Sequence, residues 1–239
     1  MFLVKYMFQQ QQAHQFGQSP FMEEAENSVY VEEGNSAMWL KVRKALEHPE
    51  LVLPYLGGWV RRLGVRRIVK DEQVFYKYAG VLYPGYLNEG NAASFILDKA
   101  KYYCQGKGID MGASEWPFPG AVPIQEAENQ NAYRLDAFSD GSLDYVFSSH
   151  CLEHLDRWQE ALKLWIRKLK INGILFLYLP HESMRLWRRG SPWVGSSHKW
   201  CPTFQILNPF LEENGMEIGE YNQDKDRYWS FHIVARRIR

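Results

Sequence analysis

Leu135-Asp136-Ala137-Phe138-Ser139-Asp140-Gly141-Ser142-Leu143-Asp144-Tyr145-Val146 is the stretch that decides how this chain folds. An acid and a Gly-containing turn lead into an apolar run that continues as Phe147-Ser148-Ser149. A short, nearly continuous apolar run behind turn residues reads as a strand buried on both faces. Downstream, Ala161, Leu162, Trp165, Ile166 and Leu169 recur at helical spacing, which predicts a helix from about Asp156 to Lys170. Asn172-Gly173 supplies a stop signal, and ILFLYLP (Ile174–Pro180) follows as a second apolar strand. Strand, helix, strand with apolar strands means a parallel sheet covered on both faces.

The alternation extends in both directions. Upstream, GIDMG (Gly108–Gly112) and AVPIQ (Ala121–Gln125) read as strands. Before them, Ala92, Phe95, Ile96, Lys99 and Ala100 fall in helical register, with Asn91 placed to cap a helix running to about Tyr103. Downstream, a helix is expected near Phe204–Asn214. After Gly215, MEIGEYN and WSFHIVARRI are extended runs that would close the sheet as a hairpin. The organisation expected is a tail over residues 1–20, Gln-rich and disordered, a helical extension or cap over 21–104, and an α/β domain over 105–239. The basic residues Arg61, Arg62, Arg66 and Arg67 read as a solvated face.

Lys plus Arg and Asp plus Glu are equal at 28 each, so nothing draws the chain toward a polyanion, and nucleic acid is not expected as a partner. Cys104, Cys151 and Cys201 are too few and too widely spaced for a disulfide framework or a zinc pattern. They read as reduced thiols of a cytoplasmic protein. The opening MFLVKYMF is short for a signal segment, and no run of about 18 apolar residues exists, so no membrane association is expected.

In a sheet of this kind ligands sit at the carboxyl ends of the strands. There, Asp110-Met111-Gly112-Ala113-Ser114-Glu115 resembles the first motif of the class I methyltransferases, in particular the type-11 group, written D-x-G-x-G-x-G. Asp110 matches the acid and Gly112 the first glycine; Ser114 and Trp116 stand where the second and third would be. The match continues from Asp136 through His181. It implies a Rossmann-like fold with a mostly parallel seven-stranded sheet, S-adenosylmethionine as cofactor, and methyl transfer as activity. Carried over position by position, it implies a cofactor site of Asp110, Gly112, Ala113, Gln125, Asp136, Ala137, Phe138 and Ser149. Gln125 replaces the acid that would bond the ribose, Asp136 lies at the adenine amino group, and Phe138 lines the adenine pocket. Residues Trp187–Thr203 resemble a substrate-side insertion of relatives linked to glycan pathways, which implies a small-molecule or glycan-linked acceptor.

If the acceptor is a hydroxyl, a general base helps, and histidine suits the task. His181 and His150 are the candidates; His154 and His198 lie in the same region. His150 and His154 are spaced to share a helix face beside Glu153, but without the H-E-x-x-H order, and no metal is assigned. A non-catalytic methyltransferase-like scaffold is the alternative, motivated by Ser114, Trp116 and Gln125. A nicotinamide dehydrogenase would need an intact G-x-G-x-x-G, which is absent. Residues 21–80 carry no catalytic motif and are open to a role as a lid or a homodimer contact.

Overall fold

The computed structural model describes residues 64–113, 115–125 and 130–239. Its main sheet is built from β4 (Gly108–Met111), β5 (Val122–Ile124), β6 (Leu143–Ser149), β7 (Leu169–Pro180), β8 (Met216–Tyr221) and β9 (Ser230–Arg237). The spatial order is β5-β4-β6-β7-β9-β8. β5, β4, β6 and β7 run parallel, while β9 is antiparallel to both β7 and β8. The β8–β9 hairpin therefore closes one side, as the two extended runs predict. Among the described residues this sheet has six strands, not seven. Between β5 and β6 the described residues form only an isolated bridge, Asn131 to Arg134.

Each face is covered by its own cluster. On one, Leu162, Trp165 and Ile166 of α2 (Trp158–Lys168) and Leu207 and Leu211 of α3 (Phe204–Glu213) pack with Ile109, Val146, Leu175 and Ile233. Thr203 caps α3 by accepting the Ile206 N–H at 3.3 Å. On the other face, Ala100 of α1 (Leu97–Tyr103) and Phe118 join Tyr145, Phe147, Phe176 and Tyr178. Side chains alternate across β6, so Val146 faces one cluster while Tyr145 and Phe147 face the other. The helix stop lies earlier than Asn172-Gly173 suggests: α2 ends at Lys168, and Leu143 pairs with Leu169 before the register resumes at Tyr145 and Ile174. The intervening residues bulge, with Asn172 at φ 66°.

The extension differs from the expected helices. Where the structure describes it, β1 (Arg66–Lys70), β2 (Gln73–Tyr78) and β3 (Val81–Pro84) form an antiparallel meander. Its connections are the tight turns Asp71-Glu72 and Ala79-Gly80, all four residues at positive φ. The helix expected from Asn91 is broken: Ala92–Phe95 is a 3-10 turn and α1 starts at Leu97. The meander packs onto the second cluster through Tyr83, fully buried, and through Tyr76 edge-on to Trp193. The tail over 1–20 and the part of the extension before residue 64, Arg61 and Arg62 included, lie outside the described residues. No helix among the described residues is long and apolar enough to cross a membrane.

Candidate functional site

The strand ends are levelled by register. Met111 pairs with Ile124 on one side and Ser148 on the other, so Gly112, Gln125 and Ser149 form a row just past three adjacent carboxyl ends. Gly112 is exposed and at φ 79°; a Cβ there would lie 2.6 Å from the Cβ of Cys151. Glycine is needed because the loop after β4 and the segment after β6 touch at this point. The Gly112 N–H donates to the Ile124 carbonyl at 2.9 Å, which fixes the loop's departure.

Asp110 does not face this row. Its carboxylate is buried and accepts the Phe118 N–H at 2.8 Å. Burial pushes its pKa up to about 6, against the opposing effect of that hydrogen bond. Asp110 thus folds the loop back onto β4. Phe118 is buried against Phe147 and Tyr145, ring centroids 4.7 and 5.8 Å away. Those residues precede Ser149 along β6, so Phe118 covers the sheet face below the strand ends, where a crossover helix would lie. Trp116 is 40% exposed and leans over Gly90.

The other implied cofactor residues divide by exposure. Gln125, Asp136 and Ala137 are exposed, Ala113 and Phe138 are buried, and Ser149 is intermediate. Asp136 is paired with Arg134 at 2.5 Å. Leu135 and Phe138 enter the cluster that holds Met111 and Ile124, anchoring the Asp136 segment on the β4–β5 side. Phe138 is 7% exposed. Ser114 and Glu126 lie outside the described residues.

The histidines lie past the ends of β6 and β7. The His150 N–H donates to the Tyr178 carbonyl and the His181 N–H to the Trp229 carbonyl, both at 2.9 Å. His150 stands at φ 49°, with its ring among Tyr178, Trp187 and Tyr228. Its Nε2 lies 2.8 Å from Ser230 Oγ. Burial, with His198 and His154 nearby, lowers its pKa to about 3, so the ring is neutral at ordinary pH and weak as a base. His181 accepts the Ser183 N–H on Nδ1 at 3.1 Å, with Ser183 Oγ 2.8 Å from the same atom. It borders a cleft shared with Trp187, Arg188, His198 and Trp200. A larger depression of about 350 Å³ lies between Ser94, Phe95, Asp226 and Arg227. There Asp226 already accepts from the Tyr178 hydroxyl and from the Tyr228 and Ser230 N–H groups.

The expected helical face shared by His150 and His154 does not form. Leu152–His154 is a 3-10 turn, and α2 begins only at Trp158. Instead the insertion delivers His198 to His154, ring centroids 4.5 Å apart, with Glu153 alongside. No spacing rule reaches from Glu153 to His198, so the sequence reading misses this group.

Residues 99–177 match the family model described as a methyltransferase domain. Over these residues the chain carries a methyltransferase domain. The match implies S-adenosylmethionine as cofactor and methyl transfer as the chemistry of that domain. No curated protein matches the chain. Among solved structures it is similar to an S-adenosylmethionine-dependent methyltransferase from Archaeoglobus fulgidus: 16% identity over 64% of this chain and 97% of that one, TM-score 0.47. Another, from Mesorhizobium loti, gives 14% identity over 63% of this chain and 100% of that one, TM-score 0.46. The family match spans α1 to the middle of β7, the segment that holds the strand-end row and the turn after β6.

Proposed function

We propose that this methyltransferase acts on a small-molecule or glycan-linked acceptor, with adenosine on the Gly112, Gln125 and Ser149 row and the acceptor beside His181. The observation that carries the reading is the register that sets Gly112, Gln125 and Ser149 side by side past three parallel strand ends, with Phe118 seated lower on the sheet face and Trp116 over Gly90. The cofactor, when bound, supplies an electrophilic methyl group. The protein's part is to hold acceptor and methyl in line and exclude water. Gln125 and Asp136 are exposed hydrogen-bonding groups suited to ribose and adenine. On the acceptor side, Arg188 beside Trp187 and Trp200 combines charge with aromatic faces, which suits a sugar or other polar ring. His181 is the better-placed base. Its Nδ1 is turned to Ser183 and it lines the cleft beside Arg188 and Trp200, whereas His150 is neutral and tied to Ser230.

Calorimetric titration with S-adenosylmethionine and its demethylated product tests the first step. Micromolar binding is expected, and Asp136→Ala should weaken it by about 1–3 kcal/mol. Absence of binding by either ligand would favour the scaffold reading. With an acceptor in hand, His181→Ala should slow turnover by about 100-fold or more; an unchanged rate would remove His181 from the mechanism.

A further inference from the structure

The Glu153 side chain is completely buried, and neither carboxylate oxygen has a hydrogen-bond partner. A buried, unpaired carboxylate is costly. The groups around it deepen the problem. His150 Nδ1 lies 3.5 Å and His198 Nε2 3.9 Å from Glu153 Oε1. The Ser230 hydroxyl donates to the Tyr228 carbonyl at 3.1 Å, so Ser230 Oγ receives the His150 Nε2 proton. His150 therefore turns a lone pair, not a proton, toward Glu153. His154 Nδ1 lies 3.1 Å from the Ser197 carbonyl, to which it donates, leaving Nε2 as that ring's lone pair. The buried His198 ring packs edge-on against that of His154, centroids 4.5 Å apart. The lone pairs of His150 and His154 and the unpartnered Glu153 carboxyl thus lie together, an arrangement that a cation completes.

We propose that Glu153, His154 and His198 bind one divalent transition-metal ion of the zinc class. The inference does not depend on the methyl-transfer reading. Two imidazoles and a carboxylate are a borderline-soft set that suits zinc and disfavours magnesium or calcium. Their ligand atoms already lie within 4.8 Å of one another. Around a tetrahedral zinc, bonds of about 2.0–2.1 Å place ligand atoms roughly 3.3 Å apart, so a modest inward rotation of the side chains completes the shell. The site is also built in its surroundings. A backbone carbonyl, that of Ser197, holds the His154 ring, the outer support that orients metal-bound histidines. The insertion is stitched to the turn by the Lys199 N–H donating to the Glu153 carbonyl at 2.8 Å and Trp200 Nε1 to the Leu152 carbonyl at 2.9 Å. Glu153 and His198 are buried while His154 is exposed, so a fourth position faces outward, as in open zinc sites.

The test uses the full chain stripped with a chelator and then titrated with Zn²⁺ against a competing chelator, with Co²⁺ absorption as a second readout. One ion per chain is expected, with Co²⁺ bands of a low-coordinate nitrogen and oxygen site. His154→Ala, at the exposed ligand, keeps the fold by circular dichroism and weakens binding at least about 100-fold. Glu153→Gln, which preserves volume, does the same. Less than stoichiometric uptake by the wild type overturns the site and leaves a proton as the partner of Glu153. Undiminished affinity in His154→Ala also overturns it, since the ion then binds elsewhere. Neither result bears on cofactor binding, which the calorimetry above reads separately.

Discussion

The two crossovers that flank β4 and β6 solve one geometric problem in opposite ways. From β6 to β7 the chain uses α2, whose Ala161, Leu162, Trp165 and Ile166 form a regular apolar stripe on the sheet. From β4 to β5 it uses residues 112–121, with no helix among the described residues, near the lower limit of about 10–12 residues for a parallel crossover. There one side chain, Phe118, covers the sheet, and one buried carboxylate, Asp110, pins the loop. The helical crossover distributes its stabilisation over many contacts, while the loop crossover concentrates it in two residues. On the loop side Phe118 sits on the sheet face below the row at Gly112, Gln125 and Ser149.

The largest effect should come from the helical side. Trp165 is fully buried and its Nε1 donates to the Ala132 carbonyl at 2.9 Å, so it also holds the long connection between β5 and β6. Trp165→Ala should cost about 3–5 kcal/mol, from lost burial, a cavity and an unpaired carbonyl. Phe118→Ala should cost less, about 3 kcal/mol, because a loop can collapse into the space it leaves. Denaturant unfolding of the two variants checks the order. A greater loss at Phe118 would mean the loop side is the more rigid of the two.

A second effect separates the two sides by pH. Asp110 is held at about 6 by burial, above its unfolded value of 3.8. Between those values the folded state binds more protons than the unfolded one, so stability contributed here is present at low pH and falls as pH rises toward 6. Asp110→Asn retains an acceptor for the Phe118 N–H and removes the charge. The variant should lose this component of the pH dependence and gain roughly 1–3 kcal/mol relative to wild type at pH 7. Thermal unfolding of both proteins from pH 4 to 8 reads it. Parallel curves would show that water reaches the carboxylate and that the loop is not pinned as described.

This division also tracks what the sequence could reveal. The helix expected over Asp156–Lys170 forms as Trp158–Lys168, and Leu143–Ser149 is a strand throughout, because periodic burial repeats the same signal over many residues. The meander at Arg66–Pro84 is missed for the opposite reason. β1 is exposed at every residue and so carries no alternation, and its turn is Asp71-Glu72, not the Asn-Gly or Asp-Gly pair that marks hairpins. At the candidate site, the acid Asp110 and the glycine Gly112 are visible as a motif, but that the acid faces inward follows only from Phe118 folding back over the strand. Glu153 and His198 are joined by the path of the insertion, a long-range closure that no local spacing encodes.

The smallest effect tests how the opposite edge of the sheet is held. Glu220 on β8 accepts from Lys99 and from Tyr103 of α1, the latter at 2.5 Å, and faces His232 on β9 at 3.0 Å. The Lys99 bond, then those of Tyr103 and His232, hold its carboxyl down at about 2, below its ordinary 4.5. A lowered carboxylate contributes stability that is complete above about 4.5 and is lost as pH falls toward 2, the reverse of Asp110. Partial exposure and solvent screening keep the contribution small, so Glu220→Gln should cost about 1 kcal/mol at neutral pH and less in high salt. Added to Asp110→Asn, it should be additive, since the two sites share no partner. Measurable coupling between them would mean that α1, whose Ala100 packs in the same cluster as Phe118, transmits strain from one edge of the sheet to the other.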